Sequence, residues 1–188
     1  MNRLDFSSST IGAAVANHGG RGNFFRMVFF VLLLLGVLSG CKKDEENTSS
    51  NGYSFTPPSS WTVGTAAGGI ETFTGPADGA FSPNMNIVTE NFNGALKEYV
   101  DANISSLNTV FNGELVSRVA FQSNSGLSGE KLIYLTSVSG INLRYIFYFF
   151  SPKSGRKTYV VITGTGLASY DTKYDTMFDT AAKSFAWK

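Results

Sequence analysis

The sequence predicts an α+β domain in which an antiparallel sheet of about six or seven strands is sandwiched between helices. Short runs rich in β-branched and aromatic residues, separated by turn residues, fill most of the chain after residue 52. Two segments, residues 95–108 and 169–185, instead repeat apolar residues at helical spacing. The later strands are joined by short loops, which favour antiparallel neighbours.

The first half of the domain is predicted to hold short strands and one helix. The strands lie at residues 53–55, 61–63, 71–73 and 86–90. Trp61 is the large aromatic residue that we expect to anchor the core. The helix at residues 95–108 must lie on a sheet because its apolar residues form one stripe: Leu96, Val100, Ile104, Leu107 and Phe111.

The second half continues with strands and closes with a helix. The strands are predicted at residues 115–123, 130–138, 142–151 and 157–164. Almost every residue from 143 to 150 is apolar or aromatic, which indicates a strand covered on both faces and therefore the centre of the sheet. The motif Gly164-Thr165-Gly166 before the last helix is either a tight turn or a set of backbone amides for an anion.

The last helix repeats an aspartate every fourth residue, so that Asp171, Asp175 and Asp179 share one face. Three carboxylates are suitable ligands for a hard cation such as calcium, whereas a solvated helix face is the simpler interpretation. Asp175-Thr176-Met177 and Asp179-Thr180-Ala181 also resemble the short O-glycosylation sequence of the Bacteroidetes.

Composition excludes several kinds of chemistry. Beyond residue 40 the chain has 12 Lys and Arg against 13 Asp and Glu residues, which leaves no electrostatic signature for nucleic acid. Its one histidine is His18 and its one cysteine is Cys41, so zinc sites of the His or Cys type and histidine-based nucleophilic triads are absent beyond Cys41. Any chemistry would have to rest on carboxylates, Lys, Tyr or an oxygen-ligated cation, and we predict no enzyme, no cofactor and no metal.

The start of the chain has the features of an export signal. Arg21 and Arg26 precede the apolar run 27–38, which is too short to cross a hydrocarbon core that needs about 20 residues. The run ends in Leu38-Ser39-Gly40-Cys41, which resembles the lipobox of bacterial lipoproteins. The resemblance implies cleavage between Gly40 and Cys41 and acylation of Cys41 with palmitate-type chains. An ordinary secretory signal with a chance cysteine is the alternative.

The predicted organisation is a signal peptide at residues 1–40, a polar flexible tether at residues 41–52 and one domain at residues 53–188. The tether begins Lys42-Lys43-Asp44-Glu45-Glu46, which resembles the surface-export signal of Bacteroidetes lipoproteins. The resemblance implies a lipid-anchored protein on the outer face of the outer membrane. The periplasmic face of the same membrane is the alternative.

Three motifs in the domain resemble the PsbP-like family: Pro58-Ser59-Ser60-Trp61, Asn84-Met85-Asn86-Ile87-Val88 and Lys183-Ser184-Phe185. The family includes an extrinsic subunit of photosystem II, an import factor that binds the Ran GTPase, and bacterial lipoproteins. The resemblance implies an antiparallel sheet between helices and a non-catalytic binding or assembly module that docks on an envelope protein complex. The alternative is a ligand carrier or an enzyme with a pocket between sheet and helix.

The loop at residues 75–84 carries the candidate partner contacts Asp78 and Phe81. An aromatic side chain on a loop rich in glycine and proline is a common contact point in binding surfaces. The alternative is that Phe81 folds back onto the edge of the sheet.

Overall fold

The computed structural model describes residues 52–79 and 81–188, with all their side chains except those of residues 111 and 170–172. The predicted signal peptide and almost all of the predicted tether lie outside the described residues, as do Gly40 and Cys41. No described helix is long and apolar enough to cross a membrane.

The described chain is an α+β fold, as predicted. A short 3-10 helix, Ala168–Tyr170, precedes the second of two helices. The elements in chain order are β1 (Tyr53–Ser54), β2 (Thr62–Ala66), β3 (Ile70–Thr74), β4 (Asn84–Asn91), α1 (Leu96–Phe111), β5 (Glu114–Gln122), β6 (Ser128–Val138), β7 (Ile141–Phe150), β8 (Thr158–Leu167), α2 (Asp171–Lys183) and β9 (Ala186–Trp187).

Seven of the strands form one antiparallel sheet in the order β2-β3-β4-β8-β7-β6-β5. The middle strand is β8, and β7, the strand predicted at the centre, lies beside it. Both strands are buried on both faces because each is flanked by strands and covered by a helix on either side. The remaining strands, β1 and β9, pair with each other, which the sequence did not predict.

Alternation along β7 divides the core into two layers, since successive strand residues point to opposite faces. Ile146, Tyr148 and Phe150 pack under α2 with Phe178 and Phe185. The intervening Tyr145, Phe147 and Phe149 pack under α1 with Tyr99, Val100 and Leu107. Each helix therefore covers one face of the sheet, and the predicted sandwich of a sheet between helices is confirmed.

Glycines in β8 allow α2 to approach the sheet closely. A Cβ atom on Gly164 would lie 2.7 Å from the ring of Phe178, and one on Gly166 would lie 3.1 Å from the ring of Tyr174. Gly164-Thr165-Gly166 is thus part of a strand that a helix packs against, and not a turn that presents amides to an anion.

The antiparallel pair β4–β8 gives the domain two distinct ends. The pairing runs from Asn91 opposite Thr158 to Asn84 opposite Thr165, and seven residue steps span about 23 Å. The chain enters the domain at the Thr158 side, where the amide of Lys188 donates a 3.0 Å hydrogen bond to the carbonyl of Gly52. We call this side the tether end and the Thr165 side the far end.

Candidate functional site

An open cleft of about 330 Å³ lies at the far end, between α2 and the loops that precede β2 and β4. We name it the Asp78 cleft. Its wall and floor are formed by Trp61, Pro76, Asp78, Lys173, Tyr174 and Met177, and Ser59 and Ser60 line its rim.

Asp78 is held in the wall of the cleft by two donors from α2. Its carboxylate accepts hydrogen bonds from Lys173 Nζ and, at 3.0 Å, from the hydroxyl of Tyr174. The hydrogen bond from Lys173, followed by that from Tyr174, lowers the pKa of Asp78 below its ordinary value, and the same contact with Asp78 raises the pKa of Lys173. The wall of the cleft is therefore a fixed pair of opposite charges at neutral pH.

Backbone hydrogen bonds fix the loop that carries Asp78. Its amide donates to the carbonyl of Phe81 at 2.7 Å, and the amide of Gly75 donates to the carbonyl of Pro83 at 2.8 Å. A Cβ atom on Gly75 would lie 2.7 Å from the indole of Trp61, so only glycine lets the loop cross the tryptophan so closely. The position of Asp78 is therefore set before any partner binds.

The floor of the cleft is apolar. Trp61 is buried and meets the ring of Phe178 edge to face, with centroids 6.0 Å apart. Met177 stands at the side with 38% of its surface exposed, which makes it one of the few large apolar side chains exposed among the described residues. Aromatic and methionine surface next to a fixed ion pair is suited to a ligand or segment that has both an apolar and a polar part.

The cleft has few means of acid–base catalysis. A carboxylate with a lowered pKa is a weak base, and Asp78 is already bound to Lys173. Among the described carboxylates, Glu90 has a raised pKa. Desolvation raises it, and the hydrogen bond from Tyr99 opposes this effect without cancelling it. Glu90 lines neither this cleft nor the second one described below. Within the described residues no three potential metal-ligating side chains of the His, Cys, Asp or Glu type cluster together.

The structure places the side chains of the two predicted contact residues in different surroundings. Asp78 lines the cleft, whereas Phe81 is half-buried and packs against the core layer under α1. Lys173 is a residue of the cleft that the sequence did not single out, because only the fold places it beside Asp78. Trp61, which the sequence indicates as an anchor of the core, also forms part of the surface of the cleft, together with Met177.

Two of the repeated aspartates of α2 face cations on the sheet. Asp175 accepts two hydrogen bonds from the guanidinium of Arg144, at 2.8 and 3.1 Å. Asp179 accepts hydrogen bonds from Lys131 Nζ and the hydroxyl of Tyr148, both at 2.6 Å. Neither the solvated face that the spacing favours nor the alternative of a calcium site describes these two carboxylates, because they join α2 to β6 and β7.

Two other expectations for α2 concern Asp171 and the two sequences that resemble O-glycosylation sites. The side chain of Asp171 lies outside the described residues. Thr176 and Thr180 of the two glycosylation-like sequences are exposed, and the hydroxyl of Thr180 donates to the carbonyl of Thr176 at 2.8 Å. Their modification stays a prediction.

A second open cleft, of about 310 Å³, lies at the tether end between the end of β4 and the start of β8. We name it the Arg156 cleft. Its lining is aromatic and basic, and it consists of Phe92, Asn93, Gly94, Pro152, Arg156, Lys157 and Tyr159. The two named clefts thus lie at opposite ends of the β4–β8 pair.

Comparison with known proteins relates the chain to others through its fold. No protein-family model matches the sequence, and no curated protein is significantly similar to it. Among solved structures, the Pseudomonas aeruginosa protein PA94, of unknown function, aligns with a TM-score of 0.56 at 14% identity over 68% of this chain and 97% of that one. LpqN of Mycobacterium tuberculosis, described as involved in cell envelope biogenesis, aligns with a TM-score of 0.58 at 11% identity over 71% and 82%.

A Bacteroides thetaiotaomicron structure also aligns, with a TM-score of 0.50 at 12% identity over 73% of this chain and 45% of that one. At these identities the likeness is a distant relationship of fold. None of the three descriptions names the PsbP-like family, so that resemblance stays an interpretation of the sequence.

Proposed function

We propose that this chain is a lipid-anchored lipoprotein of the outer membrane whose domain is a non-catalytic binding or assembly module. Acylation of Cys41 would fix the chain in the membrane with more than one acyl chain, which is what stable anchoring requires. The domain would then face the cell surface, with the periplasmic face of the same membrane as the alternative. The partner would be an envelope protein complex.

The single observation that carries the binding role is the place of the Asp78 cleft. It lies at the far end of β4 and β8, about 23 Å from the end where the tether joins the domain. A module held by its tether end presents the opposite end to neighbouring molecules. The fold is compatible with this role, since LpqN, whose structure aligns with this chain, is described as involved in cell envelope biogenesis.

A ligand carrier is the second candidate, and the volume of the cleft favours it. About 330 Å³ is at the small end of the range that ligand pockets occupy. The cleft is open rather than enclosed, however, and its polar wall is already paired. An extended partner segment laid across Met177 and the Asp78–Lys173 pair therefore suits it better than a small enclosed molecule.

The anchor is tested by metabolic labelling with an alkyne analogue of palmitate. We expect the chain to incorporate the label and Cys41→Ala to abolish it, because no other cysteine is present. Determination of the amino-terminal fragment by mass spectrometry should place the start of the mature chain at Cys41. Label that persists in Cys41→Ala would overturn the lipoprotein assignment.

The module is tested by a photo-crosslinking amino acid at Met177, with the same probe at Val63 as a matched control. The two side chains are similarly exposed, at 38% and 41%, but Val63 lies on β2 and does not line the cleft. We expect a defined crosslinked product from position 177 alone. Products of equal yield from both positions would show that the cleft does not select a partner.

A further inference from the structure

Positive charge is concentrated at the tether end. The turn between β7 and β8, residues 151–157, contains Lys153, Arg156 and Lys157 and no acidic residue. Lys188 lies beside them, because Lys153 Nζ donates a 2.8 Å hydrogen bond to the main-chain carboxyl oxygen of Lys188. We call these four residues the basic end.

No member of the basic end forms an ion pair with an Asp or Glu side chain of the described residues, a property that Lys183 shares. Ion pairs within the described residues engage Lys97, Arg118, Lys131, Arg144 and Lys173, but none of the four members of the basic end. Two nearby carboxylates are engaged elsewhere: Glu98 accepts from the amide of Ala95 at 2.9 Å, and Glu90 accepts from the hydroxyl of Tyr99 at 2.9 Å. The exposed guanidinium of Arg156 and ammonium of Lys157 are therefore available to an external anion.

The Arg156 cleft gives this charge a defined shape. The hydroxyl of Tyr159 donates to the carbonyl of Gly94 at 2.6 Å, and the amide of Phe92 donates to the carbonyl of Lys157 at 3.0 Å, so both sides of the cleft are joined. Arg156 and Lys157 line this fixed frame and are themselves exposed. A planar guanidinium beside an ammonium is a combination that binds phosphate groups.

The same end receives the tether. Besides the hydrogen bond between Lys188 and Gly52, Arg156 Nη1 lies 3.6 Å from the position that a Cβ atom on Gly52 would occupy. Between Cys41 and Gly52 the chain spans at most about 38 Å when fully extended. An anchored chain therefore keeps the basic end within reach of the headgroups.

We propose that the tether end of the domain docks on the anionic lipid surface in which the chain is anchored, with Arg156 and Lys157 binding phosphate groups of the lipid headgroups. This inference rests on the proposed acyl anchor. Docking orients the domain so that the Asp78 cleft points away from the membrane, toward the partner. Each cation near an anionic surface strengthens association about fivefold, so the pair gives a preferred orientation without a second anchor.

Amine acylation of the protein purified from its own membranes tests the proposal. The protein is placed in vesicles of phosphatidylcholine alone or in vesicles that also contain phosphatidylglycerol, and the acylation rate of each lysine is measured by mass spectrometry. We expect Lys157 to react at least about fivefold more slowly on the anionic vesicles, while Lys173 at the far end changes little. Arg156→Gln should remove about fivefold of that protection, whereas Arg156→Lys, which keeps the positive charge, should preserve most of it.

The outcomes distinguish failure of the docking proposal from failure of the acyl anchor on which it rests. Protein that fails to float with phosphatidylcholine vesicles refutes the acyl anchor and, with it, the docked orientation. Protein that floats but shows equal Lys157 reactivity on both kinds of vesicle refutes docking alone. Protection produced by inorganic phosphate on neutral vesicles would assign the cleft to a small phosphate ligand and overturn the membrane surface as its partner.

Discussion

The contact between Asp179 and the sheet predicts the effect of removing one carboxylate. In Asp179→Ala the buried Lys131 loses the partner of its ammonium, and the fully buried Tyr148 loses the acceptor of its hydroxyl. An unsatisfied buried hydroxyl costs about 1–3 kcal/mol, and breaking a fully buried ion pair costs about 3–5 kcal/mol. The side chain of Asp179 keeps 31% exposure, so water screens part of this loss, and we expect a net destabilisation of about 2–3 kcal/mol.

Urea unfolding followed by tryptophan fluorescence measures that change, and thermal unfolding should show a melting temperature about 6–9 °C lower. Glu114→Ala is the matched control, since it removes an exposed carboxylate from β5. Asp179→Asn should be intermediate, because an amide oxygen still accepts from Tyr148 but carries no charge for Lys131. Equal stability of Asp179→Ala and Glu114→Ala would show that the contact does not stabilise the domain.

Two further predictions concern packing and pH. Gly164→Ala should lower the free energy of unfolding by about 1–3 kcal/mol in urea unfolding, because the new methyl group would overlap the ring of Phe178. The control Gly64→Ala faces only a threonine hydroxyl and should have a much smaller effect. Equal effects of the two substitutions would refute the packing argument. Burial raises the pKa of Glu90 above its ordinary value of 4.5, so the native state binds the proton of this carboxyl group more tightly than the unfolded state does. The domain therefore loses stability as the pH rises above 4.5. Glu90→Gln, which keeps an acceptor for Tyr99, should therefore gain stability relative to the parent at pH 7 but not below pH 4.5, and an identical difference at both pH values would contradict this.

The sequence was sufficient to predict the layers of the domain, because they follow from periodicity. Apolar residues at helical spacing predicted both helices, and the unbroken apolar run from 143 to 150 predicted a strand covered on both faces. The sequence could not show whether β7 or its neighbour β8 is the middle strand, since both strands are fully buried and a buried strand has the same apolar pattern in either position.

The candidate site could be predicted only in part. Asp78 was identified from its loop, but its partner Lys173 lies 95 residues away and has no local signal that points to Asp78. The spacing of Asp175 and Asp179 correctly predicted that they lie on one helix face. That this face contacts the sheet depends on Arg144, 31 residues from Asp175, and on Lys131, 48 residues from Asp179. Pairings of this kind are set by tertiary packing, whereas sequence periodicity describes single elements.

Native mass spectrometry of the protein, extracted in detergent from its own membranes, tests the central claim most directly. We expect a chain that begins at Cys41, carries acyl mass, and is bound to a second protein at fixed stoichiometry. We also expect that Met177→Asp removes the partner but not the acyl mass, and that Val63→Asp removes neither. A bare chain without acyl mass, or a complex that persists unchanged in Met177→Asp, would contradict the claim.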